Sequence, residues 1–385
     1  MPLCEGPRLD NRLLSSVPAT LNIHATMAHS IGTDVRPLIF WEGFPLCGLL
    51  TQEVVRHYGD GLRLLGTRAA VPFEGLEELL GRPIDWLNNP NDIWERREEF
   101  ADRNFIVHTG WAHPGWLKFD RWARQRGAKV VVAVDNCYKG NLRQWMGAAW
   151  FRLHLRSHFD AAIVPGRSAT RLMRFLGMPA DRIFTGYYGA HDAIYRPGPP
   201  LAERCLEFLY VGQLIQRKGV DVLVDAFRRY REGGGTWNLR IIGSGPLMDR
   251  CSGEGVIFEG FAQARHVAQR MTEARCLILP SREDHWGTVV CEAMACGTPV
   301  IASRWVGASE DLIRNGINGC IFEEMNAESL EYCMKAVSCW SSDVLINAQR
   351  TAVGIAAGYR SSSYQAALLA IINRYSTSFT SIGLK

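Results

Sequence analysis

The stretch that decides the fold runs from residue 280 to residue 301 and reads PSREDHWGTVVCEAMACGTPVI. The apolar run Leu277-Ile278-Leu279 precedes it. A second apolar run, Val300-Ile301-Ala302, starts within its last two residues. Gly287 opens a helical segment that closes at Gly297, because glycine allows the backbone turns needed at both ends. The string therefore predicts a strand, a polar loop, a helix and a second strand, which is the repeat of a parallel sheet.

The same alternation of short apolar runs and helical patterns extends along most of the chain. Because the runs are three to five residues long, rich in β-branched residues and closed by turn formers, they indicate strands buried on both faces. The clearest are Leu38–Trp41, Phe105–Val107, Val130–Val134 and Ala161–Val164, and later Phe208–Val211, Leu239–Ile242 and Val256–Phe258. The sequence thus predicts an α/β protein with two parallel sheets.

A dense run of turn formers, Arg196-Pro197-Gly198-Pro199-Pro200, interrupts this alternation and is typical of a linker. We therefore predict an N-terminal Rossmann-like domain over 1–196 and a second domain over 201–358, followed by a last helical segment in 359–385. Residues 1–35 show little periodicity and are expected to be a poorly ordered extension. The carboxyl ends of both sets of strands would then line one cleft, which is where open α/β sheets bind ligands.

Composition excludes several classes of protein. The chain has 385 residues, of which 47% are hydrophobic and 21% charged, which is typical of a globular protein. Its net charge of +4 argues against a dedicated nucleic-acid binder. The 11 cysteines form no C-x-x-C pair and several lie in apolar runs, which indicates reduced, buried thiols and no disulfide or zinc framework. We find no secretory signal and expect a cytoplasmic protein.

The helix that starts after Gly287 is a candidate anion site. The first backbone N–H groups of a helix have no partner within the helix, so those near Gly287, Thr288 and Val289 would favour a phosphate. Asp284 precedes them, and Glu292 lies about one turn inside the helix, so each carboxylate could accept hydrogen bonds from a hydroxyl-rich ring. The alternative is that Asp284 and Glu292 are ordinary surface acids of a helix start.

This segment resembles the signature of glycosyltransferase family 4, whose members are retaining enzymes with the GT-B fold. That signature is an acidic residue, seven residues and a glutamate, followed by Ala-Met-Ala-x-Gly-x-Pro-Val-Ile. Asp284 takes the first acidic position, where the family usually has glutamate, and Glu292 takes the second. If the alignment shifted by one residue, Glu283 would compete with Asp284 for the role at the donor sugar.

A second match to the family lies in the stretch 208–219, FLYVGQLIQRKG. The resemblance implies that Lys218 neutralises the donor diphosphate, while Gln213, beside Gly212, stands where the family has an arginine. Arg217 remains open between a binding role and an ordinary surface role. The loops that contain Gly243 and Phe261 resemble those that surround the nucleobase in the family.

The first half of the chain resembles the family more loosely. The family often carries a histidine at the end of the strand that is written here Val130–Val134, and this sequence has Asp135 there. His108 ends a neighbouring strand and is a second candidate, with a purely structural role as the alternative. The loop from Gly43 to Gly48 would approach the donor phosphates or the acceptor.

The resemblance implies transfer of a sugar, with retention of configuration, from a nucleoside diphosphate sugar to an acceptor hydroxyl. We expect a UDP-sugar first and a GDP-sugar next. No Asp-x-Asp occurs in the chain, so we expect a metal-independent enzyme without a cofactor. The catalytic candidates are Lys218, Asp284 and Asp135. The alternatives are a nucleotide-sugar epimerase of the same fold and a non-catalytic subunit that binds a nucleotide sugar.

The acceptor is left open as a sugar, a lipid-linked or a small-molecule hydroxyl, in the biosynthesis of a glycan, a glycolipid or a glycosylated metabolite. No nucleic-acid partner is expected, and the oligomeric state is open. The stretch Leu142–Phe159 combines arginines with Trp145 and Trp150. It would suit peripheral contact with a membrane or an anionic acceptor, but an ordinary surface helix is the favoured interpretation. The last helix is expected to return to the first domain, as in the family.

Overall fold

A computed structural model describes residues 35–43, 46–69 and 73–379 of the chain. The first half forms a parallel sheet of strands β1 (Pro37–Trp41), β2 (Arg63–Thr67), β3 (Asp85–Leu87), β4 (Phe105–Thr109), β5 (Lys129–Ala133), β6 (Ala161–Val164) and β7 (Ile183–Thr185). Its helices are α1 (Gln52–Tyr58), α2 (Leu76–Leu80), α3 (Pro114–Gln125), α4 (Leu142–His154) and α5 (Arg167–Phe175). The strand order is β3-β2-β1-β4-β5-β6-β7.

The second half forms a second parallel sheet, with strands β8 (Cys205–Val211), β9 (Asn238–Ile242), β10 (Val256–Gly260), β11 (Ala274–Leu279), β12 (Val300–Ser303) and β13 (Gly319–Phe322). Its order is β10-β9-β8-β11-β12-β13. The helices are α6 (Val220–Glu232), α7 (Ala264–Glu273), α8 (Thr288–Ala295), α9 (Ser309–Leu312), α10 (Ala327–Ser338), α11 (Ser342–Ala356) and α12 (Ser361–Phe379). The architecture is therefore α/β with two Rossmann-like sheets, as the sequence predicts.

The central strands are apolar on both faces because helices cover both sides of each sheet. In β5, Val130 and Val132 belong to one core cluster, whereas Val131 and Ala133 belong to the cluster on the opposite face. All four side chains are almost fully buried. This two-sided burial is the physical reason why the strands appear in the sequence as continuous apolar runs.

Each sheet has one point at which the strand order reverses. In the first sheet it lies between β1 and β4, and in the second between β8 and β11. Loops that follow such neighbouring strands diverge to opposite faces and leave a crevice at the carboxyl edge of the sheet. The crevices of the two sheets contribute to one cavity, described below.

The final helix, α12, packs against the first sheet although it follows the second domain in sequence. Tyr364, Leu368, Ile371 and Ile372 are buried in the same core cluster as Ile39 of β1. At the start of this crossing, Arg360 Nη1 lies 2.8 Å from Asp192 Oδ1. The last helix therefore completes the hydrophobic core of the N-terminal domain.

Several elements were not anticipated from the sequence. The edge strands β3, β7 and β13 are only three or four residues long and partly exposed, so they carry little apolar periodicity. The expectation for residues 1–35 falls almost wholly outside the described residues, as do Phe44 and Pro45 of the loop after β1.

Four of the described cysteines depart from the expectation, and the free Cys137 is only half-buried. Cys320 and Cys333 form a disulfide, which joins β13 to α10. Cys205 and Cys339 are exposed thiols, whereas Cys251, Cys276, Cys291 and Cys296 are free and buried as expected. The prediction of reduced, buried cysteines was wrong at these four. For Cys320 and Cys333 the reason is that residue spacing does not reveal that β13 and α10 lie side by side.

The crossing helix generates the first testable prediction, at Ile371. The change Ile371→Ala should lower the free energy of unfolding by about 2–5 kcal/mol, because it opens a cavity in the core of the first domain. Urea unfolding followed by tryptophan fluorescence measures the effect. The matched control is Ile346→Ala on α11, where the side chain is 52% exposed. Equal stability of the two variants would contradict the docking of α12.

Candidate active site

A cavity of about 790 Å³ lies between the carboxyl ends of the two sheets. Twelve of the thirteen predicted site residues line it. The second domain contributes Gly212, Gln213, Lys218, Gly243, Phe261, Asp284, Gly287, Thr288, Val289 and Glu292. The first domain contributes Gly43 and Asp135. Residues that are up to 249 positions apart in the chain therefore face one space of a size suited to a small-molecule ligand.

Two loops of the second domain form one wall of this cavity, because they follow the neighbouring strands β8 and β11. Lys218 Nζ in the first loop lies 2.5 Å from Asp284 Oδ2 in the second. Arg217 Nη1 donates to the carbonyl oxygen of Glu283 at 2.9 Å, and the N–H of Arg282 donates to the Arg217 carbonyl at 2.8 Å. These bonds hold one ammonium and one carboxylate side by side at the cavity.

The two loops approach each other so closely that only glycine fits at one position. Gly219 has a φ of +70°, and a Cβ built there would lie 1.9 Å from the carbonyl oxygen of Pro280. A side chain would therefore push the loops apart and separate Lys218 from Asp284. The glycine of the predicted Lys-Gly pair is thus a packing requirement as well as a turn.

The N-terminus of α8 opens into the cavity. Gly287 precedes the helix with a φ of +84°, and a Cβ there would lie 2.8 Å from Cγ1 of Val306. Gly287, Thr288 and Val289 line the cavity, so the first N–H groups and the positive end of the helix dipole lie at its wall. That arrangement is the one that binds phosphate groups at helix N-termini.

The opposite end of this wall combines close backbone packing with an aromatic ring. A Cβ on Gly243, which follows β9, would lie 1.8 Å from the carbonyl oxygen of Gly212. Phe261 lies beyond β10, and 44% of its side chain is exposed at the cavity. Gln213 and Lys218 line the same cavity, so its lining combines an apolar aromatic surface with a cationic group.

Glu292 lies on the second turn of α8 and is half-buried in the cavity wall. Burial raises the pKa of Glu292 to about 7, and a hydrogen bond with Tyr195 opposes part of this rise. A carboxyl group with this pKa is poised to ionise when a ligand offers hydrogen-bond donors, because such donors favour the charged form.

The first domain contributes a second polar cluster, centred on Asp135. Tyr188 donates its hydroxyl to Asp135 Oδ2 at 3.1 Å, and His285 Nδ1 lies 3.5 Å from Asp135 Oδ1. The Asp135 carboxylate raises the pKa of His285 above its usual value. Since His285 belongs to the second domain, this ion pair links the two domains across the cavity.

Two further contacts join the loop after β5 in the first domain to the loop after β11 in the second. Cys137 Sγ lies 3.0 Å from the carbonyl oxygen of His285, and Lys139 Nζ lies 2.6 Å from Glu283 Oε1. The Lys139 ammonium lowers the pKa of Glu283. Glu283 therefore pairs with the first domain, while Asp284 is the carboxylate beside Lys218, and this separates the two acids between which the sequence left a choice.

His108 does not lie at the cavity, so its predicted site role was wrong. Its side chain is fully buried, its Nε2 lies 3.1 Å from Asp120 Oδ2, and its ring stacks on Trp116 at 4.8 Å. The strand that carries His108 directs this side chain toward α3 and the core. Position at a strand end was therefore not enough to identify a site residue.

Among the cavity residues that the sequence did not single out, Tyr188, Tyr195 and His285 carry polar groups at the Asp135 cluster or beside Glu292. Both tyrosines lie between β7 and the predicted linker, in a segment without periodicity. His285 directly follows Glu283 and Asp284, and nothing else in the sequence around it indicated a site residue. The described residues contain no cluster of three or more His, Cys, Asp and Glu side chains suited to hold a metal ion.

Two Rossmann-like domains facing a common cleft define the GT-B class, and solved structures of this class match the chain. The structure of Anabaena Alr3699/HepE in complex with UDP and glucose matches with a TM-score of 0.70 at 15% identity, covering 88% of this chain and 99% of that chain. The apo form of the lipopolysaccharide outer core galactosyltransferase WaaB matches with a TM-score of 0.63 at 16% identity, covering 88% and 99%. The predicted GT-B fold is confirmed.

Residues 206–338 match the family model described as glycosyl transferases group 1. This part of the chain, which contains most of the cavity residues, is similar to that family, so the predicted resemblance to a glycosyltransferase family is confirmed.

Curated relatives agree with this match. The lipopolysaccharide 1,6-galactosyltransferase of Salmonella typhimurium is 25% identical over 232 residues, which are 53% of this chain and 64% of that protein. The amylovoran biosynthesis glycosyltransferase AmsK of Erwinia amylovora is 28% identical over 280 residues, 66% of each chain. An uncharacterized glycosyltransferase of Methanocaldococcus jannaschii is 32% identical over 130 residues, 32% of this chain and 35% of that protein. The chain thus spans about one to two thirds of these relatives' lengths.

The raised pKa of Glu292 generates a prediction for stability. In the unfolded chain this carboxyl ionises near pH 4.5, whereas in the folded protein it stays protonated until about pH 7. The folded state therefore loses stability as pH rises through this window, by at most about 3 kcal/mol at ~1.4 kcal/mol per pKa unit.

The measurement compares urea unfolding of the wild type and Glu292→Gln at pH 5, 6, 7 and 8. The glutamine does not titrate, so the variant should gain stability relative to the wild type with rising pH and reach a constant difference above pH 7. Parallel pH profiles for the two proteins would show that Glu292 ionises normally.

Proposed function

We propose that this protein is a retaining glycosyltransferase of family 4. It would transfer a sugar from a nucleoside diphosphate sugar, UDP-linked in preference to GDP-linked, to an acceptor hydroxyl. The observation that carries the proposal is the arrangement of Lys218, the N-terminus of α8 and Glu292 along one wall of a single cavity. Those three features match the diphosphate and ribose of such a donor in charge and order.

The diphosphate would lie between Lys218 and the first turn of α8. An ammonium group has three donors, so Lys218 can keep its 2.5 Å contact with Asp284 and still bind phosphate oxygens. The helix N–H groups add further donors without a second side-chain cation. With Gln213 in place of an arginine, these groups would carry most of the stabilisation of the departing diphosphate.

The nucleoside would extend toward Glu292, Gly243 and Phe261. The Glu292 carboxylate is suited to accept hydrogen bonds from the two ribose hydroxyls. The base would lie against the backbone of Gly243, which lines the same cavity. The exposed ring of Phe261 offers an apolar surface beside it. Complexes of the Anabaena structure with UDP and with UDP and glucose support a uridine donor by analogy of fold.

In the proposed reaction, the bond between the sugar anomeric carbon and the β-phosphate oxygen breaks while the acceptor oxygen bonds to the same face of that carbon. The acceptor proton passes to an oxygen of the leaving phosphate, so the products are the glycoside and the nucleoside diphosphate. Charge develops on the diphosphate, where Lys218 and the α8 amides stabilise it. Asp284 and the Asp135–His285 pair would orient the hydroxyls of the transferred sugar.

The acceptor would enter from the side of the first domain, near Gly43 and Asp135. We propose a sugar acceptor in polysaccharide or lipopolysaccharide biosynthesis, because the named activities of the relatives belong there. The proposed enzyme works in the cytoplasm with its nucleotide sugar as co-substrate and no resident cofactor. Among the described helices, none is both long enough and apolar enough to cross a membrane.

The experiment that tests the proposal is a screen of the purified full chain against UDP, GDP and ADP and their sugars. Thermal shift measures binding, and release of nucleoside diphosphate measures turnover with and without sugar acceptors. We expect the largest shift with UDP and a UDP-sugar. Absence of binding to all three nucleotides would refute the proposal, and conversion of the sugar without transfer would indicate an epimerase.

Lys218→Ala is expected to reduce turnover of the selected UDP-sugar by about 100- to 1,000-fold, because it removes the cation at the developing charge. The thermal midpoint in the absence of nucleotide should fall only slightly. The control is Lys335→Ala, which removes a surface lysine paired with Glu331 on α10. Near-native turnover of Lys218→Ala would remove this residue from the catalytic groups.

The affinity for UDP should rise with pH between 6 and 8. With a pKa of about 7 for Glu292, the carboxylate fraction grows about ten-fold over this range, and the ribose hydroxyls need the charged form as acceptor. Calorimetry at three pH values measures the dissociation constant. The Glu292→Gln variant should bind more weakly at pH 8 and keep only the pH dependence that belongs to the phosphates of UDP. Identical profiles for both proteins would exclude contact between Glu292 and the ribose.

A further inference from the structure

Helix α4 has two apolar stripes on opposite sides. The inner stripe contains Ala148 and Phe151 and continues to Leu155, and all three side chains are buried in the core of the first domain. The outer stripe is exposed to solvent and consists of Leu142 (75% exposed), Trp145 (59%), Met146 (66%), Trp150 (51%) and Leu153 (79%). At about 100° per residue, Leu142, Met146 and Leu153 share one line, with a tryptophan on each side of it.

An outer stripe of this kind is unusual for a surface helix, whose solvent face is normally polar. No other helix in the described part of the chain exposes more than one large apolar side chain. The remaining exposed apolar residues are scattered singly over loops, strands and the other helices. A contiguous exposed apolar patch of this size marks an interaction site.

All the charged residues in the stretch of sequence that contains the stripe are basic. From Asn136 to Phe159 the sequence contains no aspartate or glutamate, whereas it contains Lys139, Arg143, Arg152 and Arg156. Arg143 and Arg152 lie on the two flanks of the helix, between the outer and inner stripes. Arg152 also donates to the carbonyl oxygen of Phe175 at 2.6 Å, which holds its guanidinium beside the stripe.

We propose that α4 docks in the plane of an anionic lipid bilayer, with the outer stripe in the boundary between head groups and acyl chains. Leucine and methionine along the centre, tryptophans at both sides and basic flanks are the composition of an interfacial helix. The arginines would lie at the level of the lipid phosphates. A second copy of this chain is a poorer occupant, because two copies would bring basic flanks together.

The loop that leads into α4 reaches the cavity. The loop that precedes α4 contains Asp135, which lines the cavity, and Lys139, whose Nζ lies 2.6 Å from Glu283 Oε1 of the second domain. Docking of α4 would therefore place the cleft entrance beside the membrane surface. The binding itself does not depend on the reaction proposed above, and it is measured without any substrate.

The experiment is co-sedimentation of the full chain with vesicles of equal parts phosphatidylglycerol and phosphatidylcholine, with pure phosphatidylcholine vesicles in parallel. The stripe variant combines Leu142→Ser, Met146→Ser and Leu153→Ser. The matched control combines Met248→Ser, Tyr332→Ser and Ile346→Ser, which remove three large exposed apolar side chains outside α4. A charge variant combines Arg143→Gln and Arg156→Gln. Circular dichroism and the thermal midpoint confirm that each variant is folded.

We expect the wild type and the control to bind the anionic vesicles with the same affinity. The affinity of the stripe variant should be at least about ten-fold lower. The charge variant should lose about five-fold per removed arginine, and added salt should weaken the wild type. Wild-type protein that stays in the supernatant overturns the proposal. The proposal also fails if the stripe variant binds the vesicles like the control. It fails as well if the wild type is a dimer in light scattering, the stripe variant is a monomer, and neither binds vesicles.

Discussion

The contact of Gly219 with the carbonyl of Pro280 is the constraint on which the candidate site depends. The loops after β8 and β11 lie so close together at this point that a Cβ would not fit, and glycine is what allows the approach. This packing places Lys218 beside Asp284 and directs the N-terminus of α8 into the same space. An ammonium, a carboxylate and a helix dipole are thereby held in place before any ligand arrives, which lowers the reorganisation needed on binding.

The domains are joined on both sides of the cleft by different kinds of contact. At the cavity the links are polar: Asp135 with His285, and Lys139 with Glu283. Away from it, α12 gives the first domain part of its apolar core. Polar links between exposed groups contribute little free energy and can exchange with ligand or water, whereas burial of a helix face is hard to undo. The cleft is therefore the side at which relative motion is easier, with α12 as the fixed side.

Much of the fold was predictable because two-sided burial of central strands leaves continuous apolar runs in the sequence. The edge strands β3 and β7 escaped prediction because they have three residues each and partly exposed side chains. The same reasoning failed at His108, a polar residue near a strand end whose ring lies in the core with Nε2 paired to Asp120. Helix α4 was expected to be an ordinary surface helix, since a linear pattern does not reveal which of two apolar stripes is covered.

Local spacing alone determined the strand, loop and helix around Gly287, with Asp284 in the loop and Glu292 about one turn inside the helix. These depend on backbone geometry within a few residues, which sequence encodes directly. Only the tertiary structure decided that Asp284, and not Glu283, meets Lys218, that His285 pairs with Asp135, and that burial raises the pKa of Glu292. Such pairings join residues many positions apart, and they arise from how the sheets and loops pack together.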